Sequence, residues 1–240
     1  MTLVAAFRCQ NGGIMLISDR EENDGYSRRE VDKIYKIDVP ACFCQVFIAS
    51  AGFSGIIANL QWAVHRAVNQ GCVDGKNIVL HHKGIIESGL KDFYAQYADK
   101  LTEYPGALIV VAPLTARVPI LYRTEQAMLV PEAYYAADGS GKALSDYFAD
   151  RLFGSSQISG HTVLDKELMK KLGAFILREA EKAVAGVGMG ADMQFIHEGD
   201  KRVQRFSSDE VKRIQDCIPP LKEALLPCLA NASIPIKLTG

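Results

Sequence analysis

A mixed α+β fold, with stacked sheets inside and helices outside, is what this sequence predicts. Strand-like apolar runs dominate the first 52 residues, and the apolar period then changes from 2 to 3.6. After that, strand-like and helix-like stretches alternate. Helices that come in pairs need two sheet faces to cover, and a layered arrangement supplies them.

The elements follow in order. Leu3 to Cys9 is an apolar-rich run, and Asn11-Gly12-Gly13 is a hairpin turn signal. Ile14 to Ser18, Val31 to Ile37 and Cys44 to Ala51 are further strand candidates, with polar turns between them. Ile56, Ile57, Leu60, Val64, Ala67 and Val68 then recur at helical spacing. Ile85, Ile86, Leu90, Phe93, Tyr94, Tyr97 and Leu101 mark a second helix, with Gly71 to Gly75 separating the two. Strands return at Ala107 to Val111, Val118 to Tyr122 and Ala127 to Val130. A third helix is expected from Gly141 to Leu152. The longest helical signal runs from Thr162 to Val184, with Leu164, Leu168, Leu172, Phe175, Ile176, Ala180 and Ala183 on one face. Met193 to His197 and Arg202 to Phe206 read as a late hairpin, and Ser207 or Ser208 caps a last amphipathic helix.

Composition narrows the classes. Of 240 residues, 48% are hydrophobic and 23% charged, which excludes disorder and collagen-like repeats. No repeat, low-complexity tract or Pro/Ser-rich linker divides the chain, so one domain spanning residues 1–240 is expected. Lys plus Arg number 27 against 28 Asp plus Glu, a balance with no footprint for nucleic acid or an anionic membrane. No apolar run approaches the roughly 20 residues needed to span a bilayer. The opening MTLVAAFRC lacks a basic region before a long apolar stretch, so no signal peptide is expected. The chain has 6 cysteines and no CxxC, which points to a reduced, cytoplasmic setting.

Several motifs carry less than their appearance. Gly186-Val187-Gly188-Met189-Gly190 has alternating glycines but follows a helix, where a dinucleotide loop must follow a strand. It reads as a turn between helix and strand. Gly139-Ser140-Gly141-Lys142 lacks the spacing of a phosphate loop. His65, His81, His82, His161 and His197 have no Cys or acidic partners at metal-ligand spacing, so no metal is expected.

The N-terminus is the informative feature. Removing Met1 would leave Thr2 as the first residue, carrying both a hydroxyl nucleophile and its own α-amine as base. An α-amine titrates near 7.7–8.0, close to the operating pH at which a general base works best. Many chains begin Met-Thr without being enzymes, so this signal needs company.

The company is present. TLVAAFRCQNGG, then IMLISDRE, then GYSRREVDKIYKID resembles the opening of the proteasome β-type subunits and bacterial proteasome-like peptidases, within the N-terminal-nucleophile (Ntn) hydrolases. That family has an N-terminal Thr, an Asp in a short S/A-D-R motif and a Lys in V-x-K-[IV]. Here these are Thr2, Asp19 and Lys33. Its small-residue A-G before the first helix matches Ala51-Gly52, and its G-S-G opening the third helix matches Gly139-Ser140-Gly141. The resemblance covers roughly residues 2–215.

It implies a four-layer αββα sandwich of two stacked antiparallel sheets flanked by helices. It also implies a cytoplasmic threonine peptidase that needs no metal or organic cofactor. Lys33 would stabilise negative charge on the Thr2 oxygen, and Asp19 would pair with Lys33 and hold it. The Gly52 N–H would serve as an oxyanion donor, and Ser140 would hydrogen-bond the Thr2 amine. Val31, Tyr35, Ser50, Ser54 and Ala58 take the positions of the family's specificity pocket, and none is charged. Peptides or unfolded proteins are the implied substrate, a homo-oligomeric ring the implied assembly, and an unfoldase or other activator the implied partner. The family's α-type subunits carry an extension before the first strand that this chain lacks, so β-type is expected. A non-catalytic ring-assembly subunit and an amidase acting on small amides are the alternatives.

The chain also departs from the family. It has one extra residue at Gly12-Gly13, a loop between Asp19 and Lys33 about two residues short, and about five extra residues around Pro40 to Cys44. Where active members carry R-D-x-x-S-G-G after the long helix, Ala185 and Gly188 stand for the Asp and Ser. Loss of an orienting group can cost up to about 10⁴ in rate, so the Thr2, Asp19 and Lys33 set predicts activity, and the weakened support predicts less of it or a different geometry.

Overall fold

The computed structural model describes residues 2–10, 12–23, 27–40, 43–101, 104–114, 118–149, 165–198 and 203–219. The first sheet has the strand order β10-β1-β2-β11-β12. Its members are β1 (Val4–Arg8), β2 (Ile14–Asp19), β10 (Tyr135–Asp138), β11 (Ala191–Ile196) and β12 (Val203–Phe206). The second sheet runs in sequence order through β5 (Ile34–Val39), β6 (Cys44–Ala51), β7 (Gly106–Pro113), β8 (Ile120–Glu125) and β9 (Met128–Glu132). All pairings in both sheets are antiparallel. A short ribbon of β3 (Glu21–Asn23) and β4 (Arg28–Glu30) stands apart from both sheets.

The side-chain alternation of the strands builds the layers. Val4, Ala6, Ile14 and Leu16 of the first sheet meet Phe47, Ala49, Leu108, Val110 and Leu121 of the second in a dry inter-sheet core. The alternate residues point to the helices. Ala5, Phe7, Met15, Ile17 and Met193 pack under α4 (Lys166–Ala183), with α5 (Ser208–Cys217) and a helix at 142–149, α3, beside it. On the other side, Ile37, Val46, Ile48, Ile109 and Val111 pack under α1 (Ser54–Val73) and α2 (Ile78–Tyr97). The order helix, sheet, sheet, helix is the four-layer sandwich. Because both faces of β2, β6 and β7 are buried, these strands read as nearly unbroken apolar runs.

The differences from the sequence reading have local causes. β3 and β4 escape an apolar-pattern search because their pairing sets Glu22 against Arg29, charge against charge. β10 is four residues long and too short for a period to register. Strand β5 begins at Ile34, not Val31, and β8 runs Ile120–Glu125, later than expected. Helix α1 continues through Gly71, which fits against Ile78 and Ile85 of α2, so the separation of the helices comes only after Val73. On α4 the buried face is Met169, Gly173, Ala174, Ile176, Leu177 and Ala180. Leu168 is 49% exposed, so the expected stripe is rotated. Part of that stripe, Leu172 and Phe175, turns to a cleft shared with Ile214 and Ile218. Leu164, and the expected helix ends at Thr162 and Leu152, lie outside the described residues.

Candidate active site

β1 and β5 begin, and β2 and β6 end, at one end of the sandwich. Thr2 precedes β1, Asp19 ends β2, Lys33 precedes β5, and Gly52 follows β6. Sheet order thus gathers residues far apart in sequence. Ser140 enters from the turn after β10, the strand that flanks β1.

Thr2 is 3% exposed and held on every polar atom. Its hydroxyl donates to Asp19 Oδ1 at 2.8 Å and accepts a short hydrogen bond from Lys33 Nζ. Its backbone N–H donates to Ser140 Oγ at 3.0 Å, and the Ser140 hydroxyl donates back to the Thr2 carbonyl at 3.1 Å. Gly139 makes this approach feasible. Its φ is +91°, and any Cβ there would strike the Thr2 carbonyl.

Asp19 organises the site. Its Oδ1 also accepts from Lys33 Nζ at 2.8 Å and from the Leu3 N–H at 2.7 Å. Its Oδ2 accepts from the Glu21 N–H at 3.1 Å and from the Gly188 N–H at 3.4 Å. Lys33 completes its shell on the Glu21 carbonyl at 2.6 Å. Burial is the largest influence on the Lys33 ammonium and lowers its pKa below the ordinary 10.5. Asp19, then Glu21 and Glu22, pull the other way.

The glycine turn after α4 has a place in this site that sequence reasoning assigns to absent side chains. Gly188 and Gly190 carbonyls accept from the Arg20 N–H, each at 3.1 Å, while the Gly188 N–H reaches Asp19. The loop supports Asp19 through its backbone. A side chain at position 188 would press on Glu21 Oε2, 3.1 Å from where its Cβ would sit. Such a role leaves no residue-type signal, apart from the glycines themselves.

Gly52 is exposed, with φ +140°, directly after the buried end of β6. Ser50 is fully buried, and its N–H donates to the Lys33 carbonyl at 3.2 Å, which ties the end of β6 to Lys33. Tyr35 packs on the helix-facing side of the second sheet, and its hydroxyl lies 2.6 Å from His65 Nδ1 of α1. Ser54 opens α1, where Arg29 Nη2 is 3.5 Å from its hydroxyl. Val31 is partly buried beside Arg20, whose carbonyl accepts its N–H at 2.9 Å. Ala58, expected in the same pocket, is exposed on α1. Glu22 pairs with Arg29 of the β3–β4 ribbon.

No family model matches the chain, and no curated protein matches it. Solved structures do. Anbu (ancestral beta-subunit) from Yersinia bercovieri superposes with a TM-score of 0.72 at 14% identity, covering 99% of this chain and 98% of that one. Anbu from Hyphomicrobium sp. strain MC1 gives 0.69 at 14% identity over 95% and 97% of the two chains. A helical assembly of the Anbu complex from Pseudomonas aeruginosa gives 0.71 at 14% over 99% and 100%. At such identity the likeness establishes the Ntn-type fold alone. It also corrects the resemblance drawn from the sequence. The neighbours are Anbu proteins, a proteasome-like but distinct group, not proteasome β-type subunits or bacterial proteasome-like peptidases. The matched landmarks all sit at the sheet ends around Thr2, and residues that build one site do not separate groups sharing a fold.

Proposed function

We propose that this chain is a proteasome-related threonine peptidase of the Anbu kind, acting through Thr2 once Met1 is removed. The observation that carries the reading is the Thr2 hydroxyl held between the Asp19 carboxylate and the Lys33 ammonium in a buried setting. A merely structural threonine has no need of a desolvated ion pair, which costs free energy to bury.

The chemistry is acyl transfer. Thr2 Oγ1 attacks the substrate carbonyl carbon, and its proton passes to the freed α-amine. Lys33 stabilises the developing negative charge on the threonine oxygen. The Gly52 N–H receives the oxyanion. Collapse of the tetrahedral intermediate expels the amine product, which takes the proton from the α-amine. Water then attacks the resulting ester and regenerates the hydroxyl. Ser140 orients the α-amine. Peptides or unfolded chains are the proposed substrates, and a homo-oligomer is the proposed working form, as the Pseudomonas neighbour forms a helical assembly.

The test is intact-mass analysis of the purified protein with and without a peptide epoxyketone. The expected result is a chain lacking Met1 that gains one inhibitor mass on Thr2. Thr2→Ala is expected to abolish labelling and peptide turnover while leaving the fold intact, since it deletes a hydroxyl and little volume. Met1 retained on an active preparation, or more than a few per cent of turnover in Thr2→Ala, defeats the mechanism. A folded, assembled protein that keeps Met1 and never labels favours the assembly-subunit alternative.

A further inference from the structure

The residues flanking the inner Asp19–Lys33 pair form a second pair of opposite polarity. Arg20, next to Asp19, places Nη2 2.8 Å from Oδ1 of Asp32, next to Lys33. The same Asp32 oxygen lies 3.1 Å from Arg205 Nη2 of β12. Arg205 in turn forks onto Asp192 of β11, with Nε 3.3 Å from Oδ1 and Nη2 3.2 Å from Oδ2. Asp192 is 1% exposed, and it follows Ala191, the strand partner of Asp19. A chain of charges therefore runs from the buried sheet, out over the rim, and back to the residue that precedes Lys33.

Stability does not account for the Asp32–Arg205 link of this chain. Asp32 and Arg205 have side chains 51% and 52% exposed, and pairs so solvated contribute about 0–1 kcal/mol. Geometry accounts for it better. Residues 31–33 belong to no strand, since β5 begins at Ile34. Beyond β5 the Lys33 backbone keeps a bond to the sheet, its carbonyl accepting from the Ser50 N–H, and Val31 donates to the Arg20 carbonyl; the rest of the placement of residues 31–33 falls to side-chain contacts. Asp192 fixes Arg205, because a buried carboxylate needs its partner. Burial pushes the Asp192 carboxyl up, and Arg205 opposes that.

We infer that Asp32 is a positioning residue, and that the Arg20–Asp32–Arg205–Asp192 chain sets the depth at which Lys33 meets Thr2. The inference rests on the reading of Thr2 as nucleophile. An error of about 1 Å in a catalytic group can cost about 100-fold in rate. The chain touches no reacting atom and acts through Lys33.

The test uses Asp32→Asn, Arg205→Gln and the double variant in the full-length, Met1-free protein. Epoxyketone labelling separates inhibitor affinity from the inactivation rate constant. Each single variant is expected to lower the inactivation constant roughly 10- to 100-fold and to leave affinity within about twofold. The double variant is expected to lose no more than the worse single, since both break one chain. A second readout needs no activity. The ¹⁵N resonance of the Lys33 ammonium is expected to be resolved in the wild type and exchange-broadened in Asp32→Asn. Asp32→Asn leaves the Arg205–Asp192 pair in place, so it remains decisive should Arg205→Gln misfold. Additive losses, or a Lys33 resonance unchanged in Asp32→Asn, overturn the inference. If the wild type never labels at Thr2, the nucleophile reading fails, while the Lys33 resonance still decides the positioning.

Discussion

Lys33 concentrates the electrostatic conflict at the residue scale. Burial lowers its pKa below 10.5, and Asp19 only partly restores it. Folding therefore weakens the hold of this amine on its proton. Below the folded pKa both states are protonated and the full cost of burying the cation is present. As pH rises from that value to the ordinary lysine value, the unfolded chain binds more protons, so this group's contribution to stability rises. Activity is expected to move the other way, because in the proposed mechanism the charged form stabilises the threonine oxygen. The labelling rate is expected to be bell-shaped: an acid limb from the Thr2 amine, ordinarily near 7.7–8.0, and an alkaline limb below 10.5. A pH series of inactivation constants checks this, and an alkaline limb at or above 10.5 would contradict it. Selectivity is also a residue-scale matter. Tyr35 and Ser50 are uncharged, and Glu22 is occupied by Arg29, so small or medium uncharged side chains are expected before the cut. Arg29→Gln should release Glu22 and raise cleavage after Lys or Arg roughly fivefold, the equivalent of an exposed pair near 1 kcal/mol. A fluorogenic peptide panel reads both. Basic substrates cleaved fastest by the wild type would defeat the pocket assignment and make Glu22 the next residue to substitute. Thr2 stands out in the sequence by its place after Met1, while Asp19, Lys33 and Ser140 are named only through the family resemblance; the structure brings all four side chains together. Gly188 is not legible there, because it contributes only a backbone N–H, and a glycine in a turn does not disclose that its N–H reaches Asp19.

At the scale of elements, legibility follows burial. β2, β6 and β7 stand out because both their faces are covered, while β3 and β4 pair by charge and leave no apolar trace. Helix register is harder, as α4 shows. Its apolar stripe serves both the sheet and the cleft beside Ile214 and Ile218, so the sequence pattern alone does not say which part faces inward. The outer helix pair depends on a detail of close approach. A Cβ at Gly89 of α2 would sit 2.8 Å from the Ala63 carbonyl oxygen and 2.8 Å from the Ala67 Cβ of α1. Alanine is the better helix former by about 1 kcal/mol. Backbone oxygen cannot move aside cheaply, so overpacking should win. Gly89→Ala is expected to destabilise the protein by about 1–3 kcal/mol in a urea titration. A variant as stable as the wild type would mean that α1 and α2 have room to separate.

The whole molecule has its site at one end of two stacked sheets, and self-association is expected to be part of how it works. The reason is partly surface. Phe53 is 65% exposed at the start of α1, Trp62 is 62% exposed further along it, and Tyr147 is 53% exposed on α3. Scattered singly such residues need no explanation, but large aromatics on both helical layers favour contacts with other copies. The other reason is the helical assembly of the Pseudomonas neighbour with the same fold. A repeated head-to-tail contact closes into a ring when its rotation divides a full turn without rise, and otherwise winds into an open helix. A change of a few degrees in one interface decides between them, which is why sequence landmarks around Thr2 cannot. Sedimentation at micromolar concentration is expected to show species well above the 26.3 kDa monomer. Electron microscopy of that fraction then separates a closed ring from a helix. A single monomeric boundary across the whole micromolar range would remove the assembly from the proposal. It would leave the Thr2 chemistry to stand or fall on covalent labelling, because every side chain invoked for that chemistry belongs to one chain.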